Sequence, residues 1–323
     1  MRHDYNDIIS IKNLCDAWRK FLHGKKTRSD VATFSLNFSQ NIFQLHRDLQ
    51  NKTYRHGVYE AFSISDPKPR SIHKAIVRDR LLHHAIYQVL EPYFDKKFIY
   101  DSYSCRNFKG THKAIERFGE FFRRVSHNGS RTCWVLKCDV RKFFASIDQE
   151  TLMDIFKRHV SDQSIVWLIG EIVQSFSTGP GKGLPLGNLT SQLLVNVYMN
   201  EFDQFVKHGL KQKYYIRYAD DFVILHEDKG YLQELILRVD SFLSERLLLA
   251  LHPDKVFIKT FASGVDFLGW VHFPNHRVLR TTTKKRMFRN IKAKNGKEET
   301  VQSYLGLMSH GNSWKLRQKI IGK

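Results

Sequence analysis

Three aspartates limit the chemistry open to this chain. Asp220 and Asp221 are adjacent within Tyr214-Tyr215-Ile216-Arg217-Tyr218-Ala219-Asp220-Asp221-Phe222-Val223-Ile224-Leu225. Two β-favouring apolar runs around a pair of acids predict a hairpin with the acids at its turn. Aspartate is ordinary in a turn, because it tolerates the backbone geometry and bonds its own main chain. The flanks say more: they predict a buried hairpin, where adjacent carboxylates repel and are costly to desolvate. A divalent cation is the usual compensation. Asp139 closes the apolar stretch Cys133-Trp134-Val135-Leu136-Lys137-Cys138 and precedes an amphipathic one. Alone it reads better as a helix N-cap. Brought beside the hairpin, it would complete an all-oxygen site suited to Mg²⁺, and two such ions about 3.5–4 Å apart clamp the attacking and leaving oxygens of a phosphoryl transfer.

The fold must close a separation of 81 positions between Asp139 and Asp220. Residues 1–60 read as helical, with Leu14, Trp18, Phe21 and Leu22 at helix spacing. Ser65-Asp66-Pro67-Lys68-Pro69 is a breaker. Residues 72–125 read as helices and loops, 131–272 as alternating strands and helices, and Asn275 onward as helical. Thr178-Gly179-Pro180-Gly181-Lys182-Gly183 reads as a flexible loop, and it lacks the Gly-Lys-Ser/Thr ending of a phosphate-binding P-loop.

With 323 residues and 42% hydrophobic content, the chain can bury a sizeable core in two or three subdomains. A net charge of +20 implies a polyanionic partner. The charge is concentrated: residues 275–323 hold thirteen Lys or Arg against Glu298 and Glu299. Phe288, Tyr304 and Trp314 interrupt that run, a composition suited to tracking a nucleic-acid backbone, although each aromatic alone reads better as core. Cys15, Cys105, Cys133 and Cys138 show no metal spacing, and the last two read as inert core residues of a reduced, cytoplasmic protein. The first twenty residues do not read as a signal peptide, and no apolar run reaches membrane-spanning length, so no membrane partner is expected.

Tyr218-Ala219-Asp220-Asp221, preceded by Asp139-Val140-Arg141-Lys142-Phe143-Phe144, resembles the palm of a reverse transcriptase. Between them, Gly183-Leu184-Pro185-Leu186-Gly187-Asn188-Leu189-Thr190-Ser191-Gln192 resembles the family's loop and helix that back template and nucleotide. Order and spacing agree across three motifs. The stretches Pro69–Ile72 to Arg78–Arg80 and Ser102–Arg106 to Gly110–Ala114 resemble the fingers motifs. Leu251–Lys255 resembles the motif after the hairpin, Val265–Trp270 the primer grip, and Ser303–Gly306 part of the thumb. The resemblance implies an α+β right-hand polymerase fold: an N-terminal helical extension (1–60), fingers (61–130), a palm with an antiparallel sheet (131–274) and a helical thumb (275–323). Where group II intron enzymes carry Gln-Gly-x-x-x-Ser-Pro, this chain has Leu186-Gly187-Asn188-Leu189-Thr190-Ser191-Gln192. That departure resembles the reverse transcriptases of diversity-generating retroelements, which copy a template-repeat RNA into cDNA with errors at template adenines.

The resemblance implies roles residue by residue. Asp139 and Asp220 would bridge two Mg²⁺ ions, for which Mn²⁺ can substitute, with Asp221 in support and Val140 among the metal-binding positions. Arg70 and Arg106 would grip the triphosphate, since guanidinium forks suit phosphate oxygens, and Leu186, Gly187 and Gln192 would line the nucleotide. Phe144, five residues after Asp139, is the expected sugar gate, with Phe143 as the alternative. Lys255 would protonate leaving pyrophosphate. Phe267, Leu268 and Gly269 form the primer grip, and Lys284, Lys285, Arg286 and Arg289 contact the nucleic-acid backbone. Expected partners are template RNA, a primer strand, dNTPs and a small basic helical accessory protein, in a bacterial or phage setting. Two other readings stand beside this one: a reverse transcriptase of another bacterial lineage, group II-like or phage-defence, and a catalytically silent RNA-binding protein on the same scaffold.

Overall fold

The computed structural model describes residues 4–64 and 69–322. The predicted breaker falls outside them except for Pro69. In chain order the elements begin with α1 (Tyr5–Ile9), α2 (Ile11–Leu22), α3 (Ser29–Leu36) and α4 (Phe38–Gln50). Leu14, Trp18 and Phe21 are buried as their spacing predicts, and Trp18 stacks on Phe21 and Phe38 at centroid distances of 5.4 Å. Next come β1 (Glu60–Ile64), β2 (Arg70–Lys74), α5 (Val77–Asp95) and α6 (Thr111–Val125). The antiparallel pair β1–β2 stands at a place read from sequence as breaker, helix and loop. β1 is largely exposed and β2 passes from exposed to half-buried, so neither shows the apolar alternation of a strand with one buried face.

The chain continues through β3 (Trp134–Asp139), α7 (Phe143–Ser146), α8 (Gln149–His159), α9 (Gln163–Gln174) and α10 (Leu189–Gln204). Asp148 and Asp162 cap α8 and α9, their carboxylates accepting amide N–H bonds from the first turn. The loop over 178–183 is closed rather than loose: the Thr178 amide donates to the Lys182 carbonyl at 2.9 Å and the Gly183 amide to the Ile147 carbonyl at 2.8 Å. Then follow β4 (Tyr215–Tyr218), β5 (Asp221–His226), α11 (Lys229–Leu247), β6 (Phe257–Thr260), β7 (Val265–Phe267), β8 (Trp270–His272), β9 (Arg277–Leu279), α12 (Thr281–Ala293), α13 (Glu298–Met308) and α14 (Trp314–Ile321). The short strand β9 precedes the basic helices, where helix was expected from Asn275.

Two compact units divide these elements, each assembled from separated stretches. The first comprises residues 1–100, 140–205 and 241–250. In it α5 packs on α2 and α10, and Leu81, Leu82, Ala85, Ile86 and Leu90 are fully buried. The second comprises residues 101–139, 206–240 and 251–323. Its main sheet has the order β4-β5-β3-β6, every neighbour antiparallel. Position β3 at the centre and a strand apolar on both faces follows: Val135, Leu136 and Cys138 are each fully buried. Phe118, Phe121, Phe122 and Val125 of α6 join Cys133, Val135, Ile216, Val223 and Leu225 in one core. Burial alone pushes the Cys133 thiol up to about 12, which makes it the inert residue expected.

A second sheet in this unit, β7-β8-β9, carries the basic helices. Leu279 and Met287 form a small core with Trp270 and Met308, and Tyr304 packs against it. Phe288 and Trp314 are exposed.

Candidate active site

Alternation along β3 places Val135, Lys137 and Asp139 on one face. Across β5 their partners are Leu225, Val223 and Asp221. The face that α6 covers is therefore apolar at one end and acidic at the other, and two carboxylates stand directly opposite one another. Asp139 ends its strand, as one of the two sequence readings held; the following short helix is instead preceded by Lys142 in a left-handed conformation at φ 45°.

The β4–β5 hairpin closes through Ala219 and Asp220 between the paired residues Tyr218 and Asp221. Ala219 takes φ 57°, a left-handed backbone that an L-residue adopts at a cost of about 1–2 kcal/mol. Arg217, fully buried, holds the turn: its guanidinium donates to the Ala219 carbonyl at 3.0 Å and to the Ser102 hydroxyl at 3.1 Å. The backbone of 101–103 lies alongside, with the Arg217 amide on the Asp101 carbonyl and the Tyr103 amide on the Arg217 carbonyl, both at 3.0 Å.

Two lysines meet the carboxylates. Lys255 Nζ donates to Asp139 Oδ1 at 2.8 Å, and Lys137 Nζ lies 3.4 Å from Asp221 Oδ2. Asp221 Oδ1 is buried and, among the described residues, accepts no hydrogen bond. Burial chiefly pushes the Asp221 carboxyl up to about 7; Lys137 opposes the shift, while Asp220 and Asp139 add to it. Among the described residues no three His, Cys, Asp or Glu side chains converge into a ready-made metal cage. An orphaned carboxylate oxygen beside two further carboxylates is nonetheless the donor chemistry that a hard divalent cation takes. Lys137 and Arg217 were missed as contributors. The available signal was a cation inside each apolar strand run, where an unpaired charge would be too costly to bury.

Of the remaining predicted residues, several fall in the first unit. Val140 is buried there. Phe143 is 3% exposed, whereas Phe144 is half-buried, its carbonyl accepting the Leu184 amide at 2.8 Å. Arg70 is exposed at the start of β2. The same strand anchors the loop before α10, since the His73 amide donates to the Leu186 carbonyl at 3.2 Å. Gly187 has φ 116°, and a Cβ there would meet Ile72 at 3.0 Å, so both conformation and space favour glycine. Gln192 is half-buried in the first turn of α10. Arg70, Leu186 and Gly187 thus share one local framework.

In the second unit Arg106 is half-buried and donates to the Ser102 carbonyl at 3.0 Å, on the loop that flanks the hairpin. Phe267 is fully buried, and Leu268 and Gly269 form the turn between β7 and β8 with φ 51° and 87°. Consecutive positive φ values identify a type I′ turn, the form that matches strand twist. On α12, Thr283 and Met287 are buried, Lys285 and Arg289 are exposed, and Lys284 and Arg286 are half-buried.

Comparison with known proteins agrees with this geometry. The chain is 25% identical over 258 residues to protein YkfC of Escherichia coli, covering 68% of this chain and 66% of that protein. It is 23% identical to the group II intron-encoded protein LtrA of Lactococcus lactis, covering 64% of this chain and 44% of LtrA. The chain therefore spans under two thirds of these relatives. Telomerase from Candida tropicalis shares the fold with a TM-score of 0.54 at 11% identity, covering 71% of this chain and 55% of that one. Residues 65–272 match the reverse transcriptase (RNA-dependent DNA polymerase) family. That stretch holds all three aspartates and the loop before α10, and with it the chain belongs to the reverse transcriptase family.

Proposed function

We propose that this chain is an RNA-directed DNA polymerase and that its two-strand acidic site binds divalent metal, two Mg²⁺ ions in the working enzyme. The observation that carries the reading is the opposition of Asp139 and Asp221 across β3 and β5, with Asp220 in the adjoining turn. Asp139 and Asp220 would hold the ions, with Asp221 in support and the Val140 carbonyl as a backbone ligand. Bound there, the metals would lower the pKa of the primer 3′-hydroxyl and neutralise charge on the phosphates. Lys255 is the donor to departing pyrophosphate, and its pairing with Asp139 keeps the ammonium beside the carboxylates. Phe144, the more accessible of the two phenylalanines, is assigned to the sugar, and Leu186, Gly187, Gln192, Arg70 and Arg106 to the nucleotide. The primer grip is the Leu268–Gly269 turn, and α12 holds the nucleic-acid backbone through Lys284, Lys285, Arg286 and Arg289.

The finer reading is mutagenic cDNA synthesis for a diversity-generating retroelement, aided by a small basic helical accessory protein. Its support is Leu186 before Gly187 and Gln192 after Ser191. The likeness to LtrA favours a second reading, a group II-type enzyme of another lineage. Among the described residues no helix is long and apolar enough to cross a membrane.

Primer extension on an RNA template with dNTPs and Mg²⁺ tests the first reading. Asp220→Asn is expected to lower the rate by about a thousandfold or more while the fold is kept. Full extension by a folded Asp220→Asn protein would overturn it. Errors concentrated opposite template adenine favour the retroelement enzyme, and an even spectrum favours the group II type.

A further inference from the structure

Within the first unit, a buried chain of polar groups ends on α10, and nothing assigned above uses it. His83 Nδ1 lies 2.6 Å from Thr190 Oγ1, His83 Nε2 lies 3.3 Å from His56 Nε2, and His56 Nδ1 lies 2.7 Å from the Gly57 carbonyl. Asp79 closes the chain: Oδ2 accepts the Gly57 amide at 2.7 Å and stands 3.6 Å from His56 Nδ1, while Oδ1 accepts the Tyr54 hydroxyl at 3.0 Å. His83 is 2% exposed, and Asp79 and Thr190 are fully buried.

The direction of every bond in this chain follows from one atom. A carbonyl only accepts, so His56 carries its proton on Nδ1. With that as its single proton, His56 accepts at Nε2, and His83 donates from its own Nε2. The bare Nδ1 of His83 is left to take the Thr190 hydroxyl proton. Tyr59 also approaches His56 Nε2 at 3.3 Å, but its hydroxyl has a nearer partner in Ser175 Oγ at 3.0 Å. Burial, followed by His56 and His84, lowers the His83 pKa to about 3, so the ring stays neutral at ordinary pH.

Thr190 is the second residue of α10 and follows the Leu186–Asn188 loop. That loop is also tied by the His73 amide on the Leu186 carbonyl, by the Gln192 amide on the Asn188 carbonyl at 3.2 Å and by the packing of Gly187 on Ile72. We propose that His83 is a positioning residue for the nucleotide-backing loop, fixing the first turn of α10 through the Thr190 hydroxyl and, through it, the placement of Leu186 and Gly187. The proposal rests on the polymerase reading above.

Three variants test it by steady-state primer extension. Thr190→Val removes the hydroxyl and keeps the shape, His83→Leu removes both ring nitrogens, and His83→Gln keeps one acceptor and one donor. The expected result is a rise of about fivefold in KM for dNTP in Thr190→Val and His83→Leu, with kcat held within about twofold, because a displaced loop weakens nucleotide binding without touching the metal ligands. His83→Gln should recover most of the lost affinity. A folded Thr190→Val protein with unchanged KM overturns the proposal, and this variant decides the matter should His83→Leu fail to fold. Failure of His83→Gln to recover affinity, with kcat and KM moving together, also overturns it in favour of a purely structural role. A wild type that extends no primer would overturn the polymerase reading and this one together, whereas an active wild type with unresponsive variants overturns positioning alone.

Discussion

At the β4–β5 turn, carboxylates face one another with two lysines as counter-charges, an unbonded carboxylate oxygen and an alanine in a left-handed conformation. At the start of α10 the ties described above are neutral: an amide on a carbonyl, a hydroxyl on an imidazole, and a glycine where a side chain would crowd. The hairpin's buried, charged Asp221 costs folding energy that a bound cation would offset. The loop contributes to folding and asks only to be held still. Substituting the first should therefore raise stability while removing activity, and substituting the second should cost affinity or selectivity first.

Asp221 offers the largest test of that contrast. A carboxyl raised from 3.8 to about 7 binds its proton more tightly in the folded chain than in the unfolded one. Such a group contributes stability that is fully present below pH 3.8 and is lost as pH rises through about 7. The loss amounts to roughly 2–4 kcal/mol at pH 8 for a shift of this size. Asp221→Asn removes the charge at constant shape. In EDTA at pH 8 it is expected to raise the melting temperature, while primer extension falls steeply in Mg²⁺. The buried His83 and His272 and the half-buried His84, lowered to about 3, 4 and 4 by burial first, act in the opposite sense, losing stability as pH falls below 6.5. Melting measured from pH 6.5 to 8 isolates the carboxyl, and added Mg²⁺ should raise the wild-type melting temperature more at pH 8 than at pH 6.5. A wild type whose stability is flat over that window, with or without metal, would break the contrast.

Phe144 gives a smaller effect from the first unit. Shrinking it to alanine removes the ring assigned to the ribose 2′-hydroxyl. The ratio of rNTP to dNTP incorporation efficiency should rise by about 10–100-fold, the range a single steric contact supplies. An unchanged ratio in a folded, active Phe144→Ala protein would move the role to Phe143, even though that ring is buried.

The contrast also explains what was legible in the sequence. The acidic hairpin and the strand ending in Asp139 were readable, because apolar runs ending on acids survive in one dimension. A cation inside each apolar run signals that Lys137 and Arg217 need buried partners, but cross-strand register alone decides that these are a carboxylate and a turn carbonyl. The His56–His83–Thr190 chain was hidden more deeply, since 107 residues separate His83 from its hydroxyl partner. The β1–β2 hairpin escaped because neither of its strands shows an alternating burial pattern.

Leu186 supplies the smallest effect and the sharpest test of the neutral region. Its carbonyl is fixed by the His73 amide, so the side chain can be exchanged without moving the backbone. A leucine offers contact area and no direction, whereas a glutamine amide both donates and accepts. With directional bonds backing the pair, correct and incorrect pairs would differ more in transition-state stability, and discrimination rests on that difference. Leu186→Gln is therefore expected to lower misincorporation opposite template adenine by up to about tenfold, equivalent to about 1.4 kcal/mol, with extension retained. The measurement is the error frequency opposite each template base for the wild type and the variant. If the adenine frequency is unmoved in an active Leu186→Gln protein, the side chain merely packs, and infidelity must be sought in how firmly the loop is held. Thr190→Val and His83→Gln would then be the variants in which to measure it.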